Sequence, residues 1–417
     1  MLRIEDTNAD KSKPELVGAI KESLQWLGLD WDEEYLQSER FDLYVAAANA
    51  LVESGKAYYC TYTPEEIAAR AAERGDGATG YDGYCRDRNV PPGDGAAIRF
   101  ATPNEGVTGW DDVIRGRVEF ENAVLEDFVI VRSSGVPMFH VANAYDDYDM
   151  GITHVVRGED LVNTTPRVLL LREAMGATEQ PVYAHLPLIV NEQRKKLSKR
   201  RDDVSVSDYA DKGYLPDAMR NYLTTLGWGP SDGVEIRPIE EIIEQFELDG
   251  IGKAPAFFDL KKLDHFNGEY IREMSDEDFI DHTWSLVEGT IERELYQKLV
   301  PEVKVRTKRF DQVPALIEWI VGDAPEPSEK DWRKVMGKDH VPQVLDLVIE
   351  RLEDAPWEAP ELERIVFGVG EELGVKTQLP VRLAVSGVRS GLPLFEPMAA
   401  VDRTVILSRL RSARGKL

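Results

Sequence analysis

The strongest constraint on the fold is a change of hydrophobic period along the chain. Up to about residue 205, apolar residues switch between strand-like and helix-like spacing; beyond about residue 270, nearly every segment repeats helically. An α/β front half followed by an all-α rear half is the expected class. At the start, Leu2–Glu5 reads as a strand and Asp6–Asn8 as a polar turn. Ser12 is the expected N-cap of the next helix, with Glu15 at capping-box spacing and Pro14 in the first turn. Val17, Ile20, Leu24 and Leu27 carry the helical period to Gly28. A strand this close to residue 1 would normally follow another element of its sheet.

Further along, Phe41–Val52 and 64–74 read as helices and Ala57–Tyr62 as a strand. Residues 75–95 are rich in Gly, Pro and Asp and read as loop. Ala97–Phe100, Val113–Phe120, Phe128–Val131, Ile152–Val156 and Pro187–Val190 are the next strand candidates, and Phe139–Ala144 is an apolar run. A helix is expected over 165–176, capped by Thr164 or Thr165 with Pro166 at its start. Rear helices are expected at 216–226, 239–247, 276–288, 290–300, 310–320, 341–353, 360–373 and 402–413.

At 417 residues the chain exceeds one ordinary core and calls for two to four domains. Its 76 acidic and 50 basic side chains give a net charge of −26, which excludes a uniformly basic nucleic-acid binder but not local basic patches. No apolar run reaches the ~20 residues of a bilayer span, and the polar first residues have no signal-peptide core. With only Cys60 and Cys85, a reducing, cytoplasmic setting is expected.

One stretch stands against the acidic background. Residues 194–201, Arg-Lys-Lys-Leu-Ser-Lys-Arg-Arg, are basic or hydroxylated at seven of eight positions. A solvated surface loop is the bland explanation. The chemical one is that clustered ammonium groups and a hydroxyl offset charge developing on a phosphoryl group. No Gly-x-x-x-x-Gly-Lys-Ser/Thr segment occurs, so such a site is not a P-loop.

Lys196-Leu197-Ser198-Lys199-Arg200 resembles the Lys-Met-Ser-Lys-Ser signature of class I aminoacyl-tRNA synthetases. Leu2–Thr7 and Trp26–Asp32 resemble the LRIEDTD and WLGLDWDE segments of glutamate–tRNA ligases. Gln37–Arg40, Tyr81-Asp82-Gly83, Phe139–Asn143, Asp146-Asp147, Ile152–Asp160, Leu223–Gly227, Phe257–Asp259, Lys262-Leu263 and Asn267–Ile271 continue the likeness in order. The chain is thereby identified as a member of that family over essentially its whole length.

The resemblance implies a Rossmann-like catalytic domain at 1–44 and 128–205, split by an acceptor-end-binding α+β insertion at 45–127. A stem-contact region at 206–270 and a helical anticodon-binding domain at 271–417 follow. It implies ATP with Mg²⁺, L-glutamate and tRNA(Glu) as partners, a cytoplasmic monomer, and no membrane. Glu5 would bind the glutamate ammonium and Arg157 a substrate carboxylate. Their bland alternatives are an exposed strand-end Glu and an ion pair with Glu159 or Asp160. Phe139, His140, Val141, Ala142 and Asn143 would line the amino-acid pocket; Phe139 replaces a common Tyr, and its bland role is packing. Asp160 and Ile189 would meet the nucleoside of ATP. Lys196, Leu197, Ser198, Lys199 and Arg200 would hold its phosphates, with Lys199 the main catalytic lysine and Lys196 supporting. Basic residues at 303–309 and 403–416, with Arg382, Arg389 and Phe395, are candidates for RNA contact.

The likeness departs at two places. The family's first signature, His-x-Gly-His, is carried by none of the six histidines at 140, 154, 185, 265, 282 and 340. The expectation is a catalytic fold incomplete at its N-terminus, through an internal start or a fragment, whose residues 1–417 do not aminoacylate by themselves. A catalytically dead tRNA-binding protein is the alternative. Cys60-Thr61-Tyr62 and Cys85-Arg86-Asp87 stand where some relatives carry zinc ligands, and this set predicts no zinc. A glutamine–tRNA ligase would have a β-barrel rear domain, and a glutamyl-queuosine synthetase would have none.

Overall fold

The structure is a computed structural model that describes residues 1–8, 13–74, 80–93, 95–197 and 205–417. The expected cap Ser12, residues 75–79 and 94 of the 75–95 loop, and Ser198, Lys199 and Arg200 lie outside the described residues. The chain forms two compact units. One comprises Met1–Ser207 and Arg220–Asp259, the other Asp208–Met219 and Leu260–Leu417. The segment 206–270, read from sequence as one region, is thus shared between them.

In the first unit the early elements are β1 (Leu2–Ile4), α1 (Pro14–Trp26), β2 (Glu34–Leu36) and α2 (Phe41–Glu53). β1 and β2 pair in parallel, Leu2 opposite Glu34. α1 forms as its spacing predicts, yet no residue of it is buried. α2 has apolar residues at helical spacing and buries Tyr44, Ala48 and Leu51 on one face. It stops at Ser54, before Gly55 at φ +72°, a left-handed conformation that favours glycine.

Next along the chain come β3 (Ala57–Cys60), α3 (Pro64–Arg74), β4 (Ala97–Phe100), β5 (Val107–Asp112) and β6 (Gly116–Glu121). The strand read at Val113–Phe120 is therefore half turn. The Asp112 carboxylate accepts the N–H groups of Ile114 and Arg115 at 3.1 and 2.9 Å, which folds 113–115 back before β6. After β7 (Val129–Val131), the apolar run at 139–144 opens a helix, α4 (Phe139–Asp149). Next come β8 (His154–Gly158), α5 (Thr165–Ala174), β9 (Val182–Leu186) and β10 (Ile189–Val190). Neither Thr164 nor Thr165 caps α5; both hydroxyls reach back to the Leu161 carbonyl, while Pro166 does occupy the first turn.

β3, β4 and β7 form an antiparallel sheet. A second sheet runs β6-β5-β9-β8, with β9 parallel to both β5 and β8. Its register sets Asp112 beside Tyr183 and Arg157 beside His185. Residues from β4, β7, α2, α4 and α5 share one apolar core that includes Tyr44, Phe100, Ile130, Val141 and Leu171.

Along 206–259 the chain forms α6 (Val206–Asp211), α7 (Pro216–Thr224), α8 (Ile239–Gln245) and β11 (Ala256–Phe257), the last parallel to β10. The second unit is helical: α9 (Leu260–Glu273), α10 (Asp276–Val287), α11 (Arg293–Arg306), α12 (Val313–Val321), α13 (Glu329–Met336), α14 (Val341–Leu352), α15 (Ala359–Leu373), α16 (Gln378–Ser386), α17 (Phe395–Ala400) and α18 (Arg403–Gly415). Side-chain caps start three of them: Ser275 accepts from Asp278, Ser328 from Asp331 and Asp402 from Thr404. One continuous core fills this unit, with Phe279, Tyr296, Val344, Val366 and Leu410 among its buried members. No helix among the described residues is long and apolar enough to cross a membrane.

Candidate active site

Glu5 directly follows β1 and is partly exposed. Its anchor is Arg3, whose guanidinium spans three groups: Glu5 Oε1 at 3.3 Å, Asp147 Oδ1 at 2.8 Å and Asn143 Oδ1 at 3.2 Å. Asp147 and Asn143 are buried on α4. One residue away on α4, Asp146 is fully buried and accepts from Arg40 Nε at 3.0 Å, Gln37 Nε2 at 3.1 Å and Tyr44 Oη at 2.8 Å. Three donors satisfy this buried carboxylate and lock α4 against the 37–44 segment. The end of β1 is thus tied to α4 through paired charges, with Glu5 as the exposed member.

Arg157 on β8 is built differently. Its Nε donates to His185 Nε2 at 3.3 Å and its Nη2 to Thr165 Oγ1 at 2.8 Å. Both acceptors are neutral groups. The expected bland partners are engaged elsewhere: Glu159 pairs with Arg115 and Asp160 with Lys196. No carboxylate lies within salt-bridge distance of Arg157 among the described residues. Burial pushes the Arg157 guanidinium below its ordinary basicity, against the raising influence of Tyr183, Asp147 and Glu5. A half-buried cation with no counter-ion among the described residues favours an anion from outside. Nearby, the Tyr183 hydroxyl is buried and has no hydrogen-bond partner among the described residues. Burial and the Asp147 charge push it up to about 12.

The five residues of the 139–143 segment separate once α4 is seen as a helix. Phe139 and His140 are half-buried, and their rings meet edge to face at 5.6 Å. Asn143 turns to Arg3 and Gln37. Val141 and Ala142 have no exposure and pack in the core. His140 is pushed down to about 4 by burial, then by Arg167 and Arg157, and its Nε2 has no hydrogen-bond partner among the described residues.

At the other end, the described part of the basic loop is a tight hairpin after β10. Asn191 Oδ1 accepts the Gln193 and Lys195 N–H groups at 3.0 and 3.1 Å, with Arg194 at φ +56° in the turn. Lys196 bridges back to Val190, and Leu197 N donates to the Ile189 carbonyl at 3.3 Å. Ile189 itself is exposed. Lys196 Nζ reaches Asp160 Oδ2 at 2.7 Å, and that hydrogen bond holds the Asp160 carboxyl below the usual range. Lys196 and Asp160 therefore meet, with the Ile189 backbone joined to the same loop.

Arg3, Asp147, Tyr183, Thr165, Asp112 and His185 were not singled out as site residues by the sequence pattern. Arg3 and Asp147 lay within segments that carried the resemblance, but their pairing comes only from packing. Cys60 and Cys85 are free and buried, with the Tyr81 hydroxyl 3.5 Å from Cys60 Sγ and accepting from Cys85 N at 2.7 Å. Among the described residues no three His, Cys, Asp or Glu side chains are grouped to hold a metal.

Comparison with known proteins fits this geometry. The family described as class I tRNA synthetases (E and Q), catalytic domain, matches residues 1–265, and an anticodon binding domain matches residues 269–414. The chain is 43% identical over 436 residues to a glutamate–tRNA ligase of Thermobifida fusca, covering 100% of this chain and 90% of that protein. It is equally similar to the one of Salinispora tropica, with 93% of that protein covered. Among solved structures, a glutamate tRNA ligase from Elizabethkingia meningosepticum in complex with its amino acid superposes with a TM-score of 0.82 at 29% identity, covering 100% of this chain and 92% of that one.

Proposed function

The chain belongs to the glutamate–tRNA ligase family of class I aminoacyl-tRNA synthetases, and from that premise we propose how its residues divide the work. The family's reaction is the ATP-dependent attachment of L-glutamate to tRNA. A glutamate carboxylate oxygen attacks the α-phosphorus of ATP and pyrophosphate leaves; a hydroxyl of the terminal ribose of the tRNA then attacks the adenylate's acyl carbon, forming the ester and releasing AMP. Little covalent chemistry falls to the protein, so positioning and charge stabilisation dominate.

In this reading Arg157 takes a carboxylate of glutamate and Glu5 its ammonium. The observation that carries it is Arg157 itself, a half-buried guanidinium held by two neutral acceptors and paired with no acid among the described residues. Asn143 orients Arg3, and Arg3 orients Glu5. Phe139 and His140 border the pocket, while Val141 and Ala142 support α4 from behind. Asp160 and Ile189 lie at the nucleoside end. Lys196, with Leu197, Ser198, Lys199 and Arg200, receives the phosphates of ATP, and Mg²⁺ enters with ATP; Lys199 is the principal cation of that loop. Residues 45–127 receive the acceptor end of tRNA(Glu), 206–270 its stem and 271–417 its anticodon arm, in a monomer acting in the cytoplasm.

Titration of residues 1–417 with L-glutamate tests the central assignment. Arg157→Gln should weaken binding by about 100-fold or more, since an unpaired buried charge partner is costly on either side. Unchanged affinity would remove Arg157 from the site. An aminoacylation assay on the same polypeptide reads the other expectation. No glutamyl-tRNA above background follows from its motif content, and turnover like that of a relative would overturn it.

A further inference from the structure

We propose that Asp112 and His185 are positioning residues for Arg157, a buried carboxylate–imidazole pair that fixes one imidazole tautomer and thereby aims the guanidinium at the substrate carboxylate. The proposal rests on the reading that Arg157 binds glutamate. Asp112 is the last residue of β5, at the point where that strand meets β9. Its Oδ1 accepts three backbone N–H groups, from Ile114 at 3.1 Å, Arg115 at 2.9 Å and His185 at 3.2 Å. Its Oδ2 accepts the Trp110 indole N–H at 3.2 Å and lies 2.5 Å from His185 Nδ1. Both side chains are fully buried.

The directions of these bonds leave little freedom. Burial alone would raise the Asp112 carboxyl, but the bonds from His185, the backbone and Trp110 overcome it and hold the group below its ordinary range. Asp112 is therefore an anion that can only accept, and His185 must carry its proton on Nδ1. Burial also keeps His185 below its ordinary basicity despite the Asp112 bond, so the ring is neutral at pH 7. Its Nε2 then presents a lone pair, and the Arg157 Nε–H fills it at 3.3 Å. Thr165 takes an Nη2–H of Arg157 at 2.8 Å, and its own hydroxyl lies 3.2 Å from both the Leu161 carbonyl and His185 Nε2, so it closes a ring of contacts among Arg157, His185 and Thr165. Two of the five guanidinium N–H groups are thus held from behind by neutral acceptors, and three are left for an anion. A carboxylate in the place of His185 would hold Arg157 as firmly but would neutralise it. The imidazole orients without spending the charge, and Asp112 decides which nitrogen faces the arginine.

The test uses the 417-residue chain with L-glutamate and ATP titrated separately. In Asp112→Asn the three N–H donors pin the amide oxygen on the Oδ1 side. The amide nitrogen must then face His185 Nδ1, which moves the ring proton to Nε2, against the Arg157 N–H. His185→Asn keeps a donor for Asp112 but cannot reach Arg157, whereas His185→Gln places an amide oxygen near the former Nε2. We expect D112N and H185N to weaken glutamate binding about tenfold or more, H185Q about threefold or less, and ATP binding to change less than about twofold in all three. The ¹⁵N shifts of the His185 ring should report an Nδ1–H tautomer in the unaltered chain and Nε2–H in D112N. The proposal is overturned if the unaltered ring carries Nε2–H, or if H185N and H185Q weaken glutamate and ATP alike in step with the melting temperature. If Arg157→Gln leaves glutamate affinity unchanged, or the unaltered chain binds no glutamate, the reading of the site falls and the proposal with it. If R157Q weakens binding while D112N and H185N do not, the positioning role alone falls.

Discussion

Arg157 and Lys196, the cations assigned to the two ends of the site, are held in opposite ways. Arg157 is half-buried and is gripped by a histidine and a threonine, neither of which neutralises it. Lys196 has 59% of its side chain exposed and is already paired with the Asp160 carboxylate. The half-buried cation is preorganised and uncompensated, so it costs the empty fold some stability and returns it when an anion arrives. The exposed cation is compensated and screened, so it can leave its partner at little cost and follow a moving phosphate. The contrast suits a rigid, selective amino-acid end and an adaptable nucleotide end.

The sharpest way to break this contrast is to remove the half-buried charge and watch stability as well as binding. Arg157→Met should weaken glutamate by about 100-fold or more, yet raise the melting temperature of the empty protein, because an uncompensated charge is replaced by apolar volume. A fall in melting temperature would show that Arg157 is a structural cation. Tyr183→Phe is the next step down. Its hydroxyl is buried without a partner among the described residues, so removal should leave the unliganded fold as stable or slightly more stable. If the hydroxyl serves glutamate, affinity falls about three- to tenfold in the same variant. Loss of stability without loss of affinity would assign it to an internal bond of the fold.

Acid should separate the two ends as well. His140 sits near 4 in the fold, pushed down first by burial and then by Arg167 and Arg157. In the unfolded chain it titrates near its ordinary value of about 6.5. Below about pH 6.5 the unfolded chain binds a proton that the folded chain refuses, so stability drops as pH falls towards 4, by about 3 kcal/mol from this residue. His185 is shifted in the same direction and adds to the slope. His140→Phe retains ring contacts with Phe128 and Phe139 and should flatten the dependence of the urea midpoint between pH 6.5 and 4 without abolishing it. An unchanged slope would place the acid sensitivity elsewhere.

How much of this was legible in the sequence depended on distance along the chain. The spacing of Tyr44, Ala48 and Leu51 and the stop before Gly55 gave α2 nearly residue for residue, and Lys196 announced itself by the bases around it. The α/β-then-α order followed from period alone. Local pattern failed where a side chain overrode propensity. Val113–Phe120 looks like one β-run, but the Asp112 carboxylate ties 113–115 into a turn. Phe139–Ala144 is apolar enough for a strand, and burial on several sides turned it into the start of α4. The Asp112–His185 contact spans 73 residues and exists only because β5 and β9 lie side by side. No spacing rule reaches that far, so the support of Arg157 was invisible while Arg157 itself was not.

The smallest effect tests the exposed end. Asp160→Asn removes the carboxylate that holds Lys196 at 2.7 Å, in a pair where both side chains are more than half exposed. Such a pair contributes little to folding, so the melting temperature should stay within about a degree of the parent. The consequence falls on ATP. If Asp160 serves chiefly as a resting place for Lys196, its removal frees an ammonium group for the phosphates, and ATP binds up to a few-fold tighter at low salt, with the gain screened away as ionic strength rises. If Asp160 instead contacts the nucleoside, the same variant binds ATP more weakly at every salt concentration, because a lost hydrogen bond is screened far less than a freed charge. The salt dependence therefore decides between the two uses of one carboxylate. Either result leaves glutamate affinity untouched if the two ends are as separate as their construction implies, and coupled losses at both ends would break the comparison.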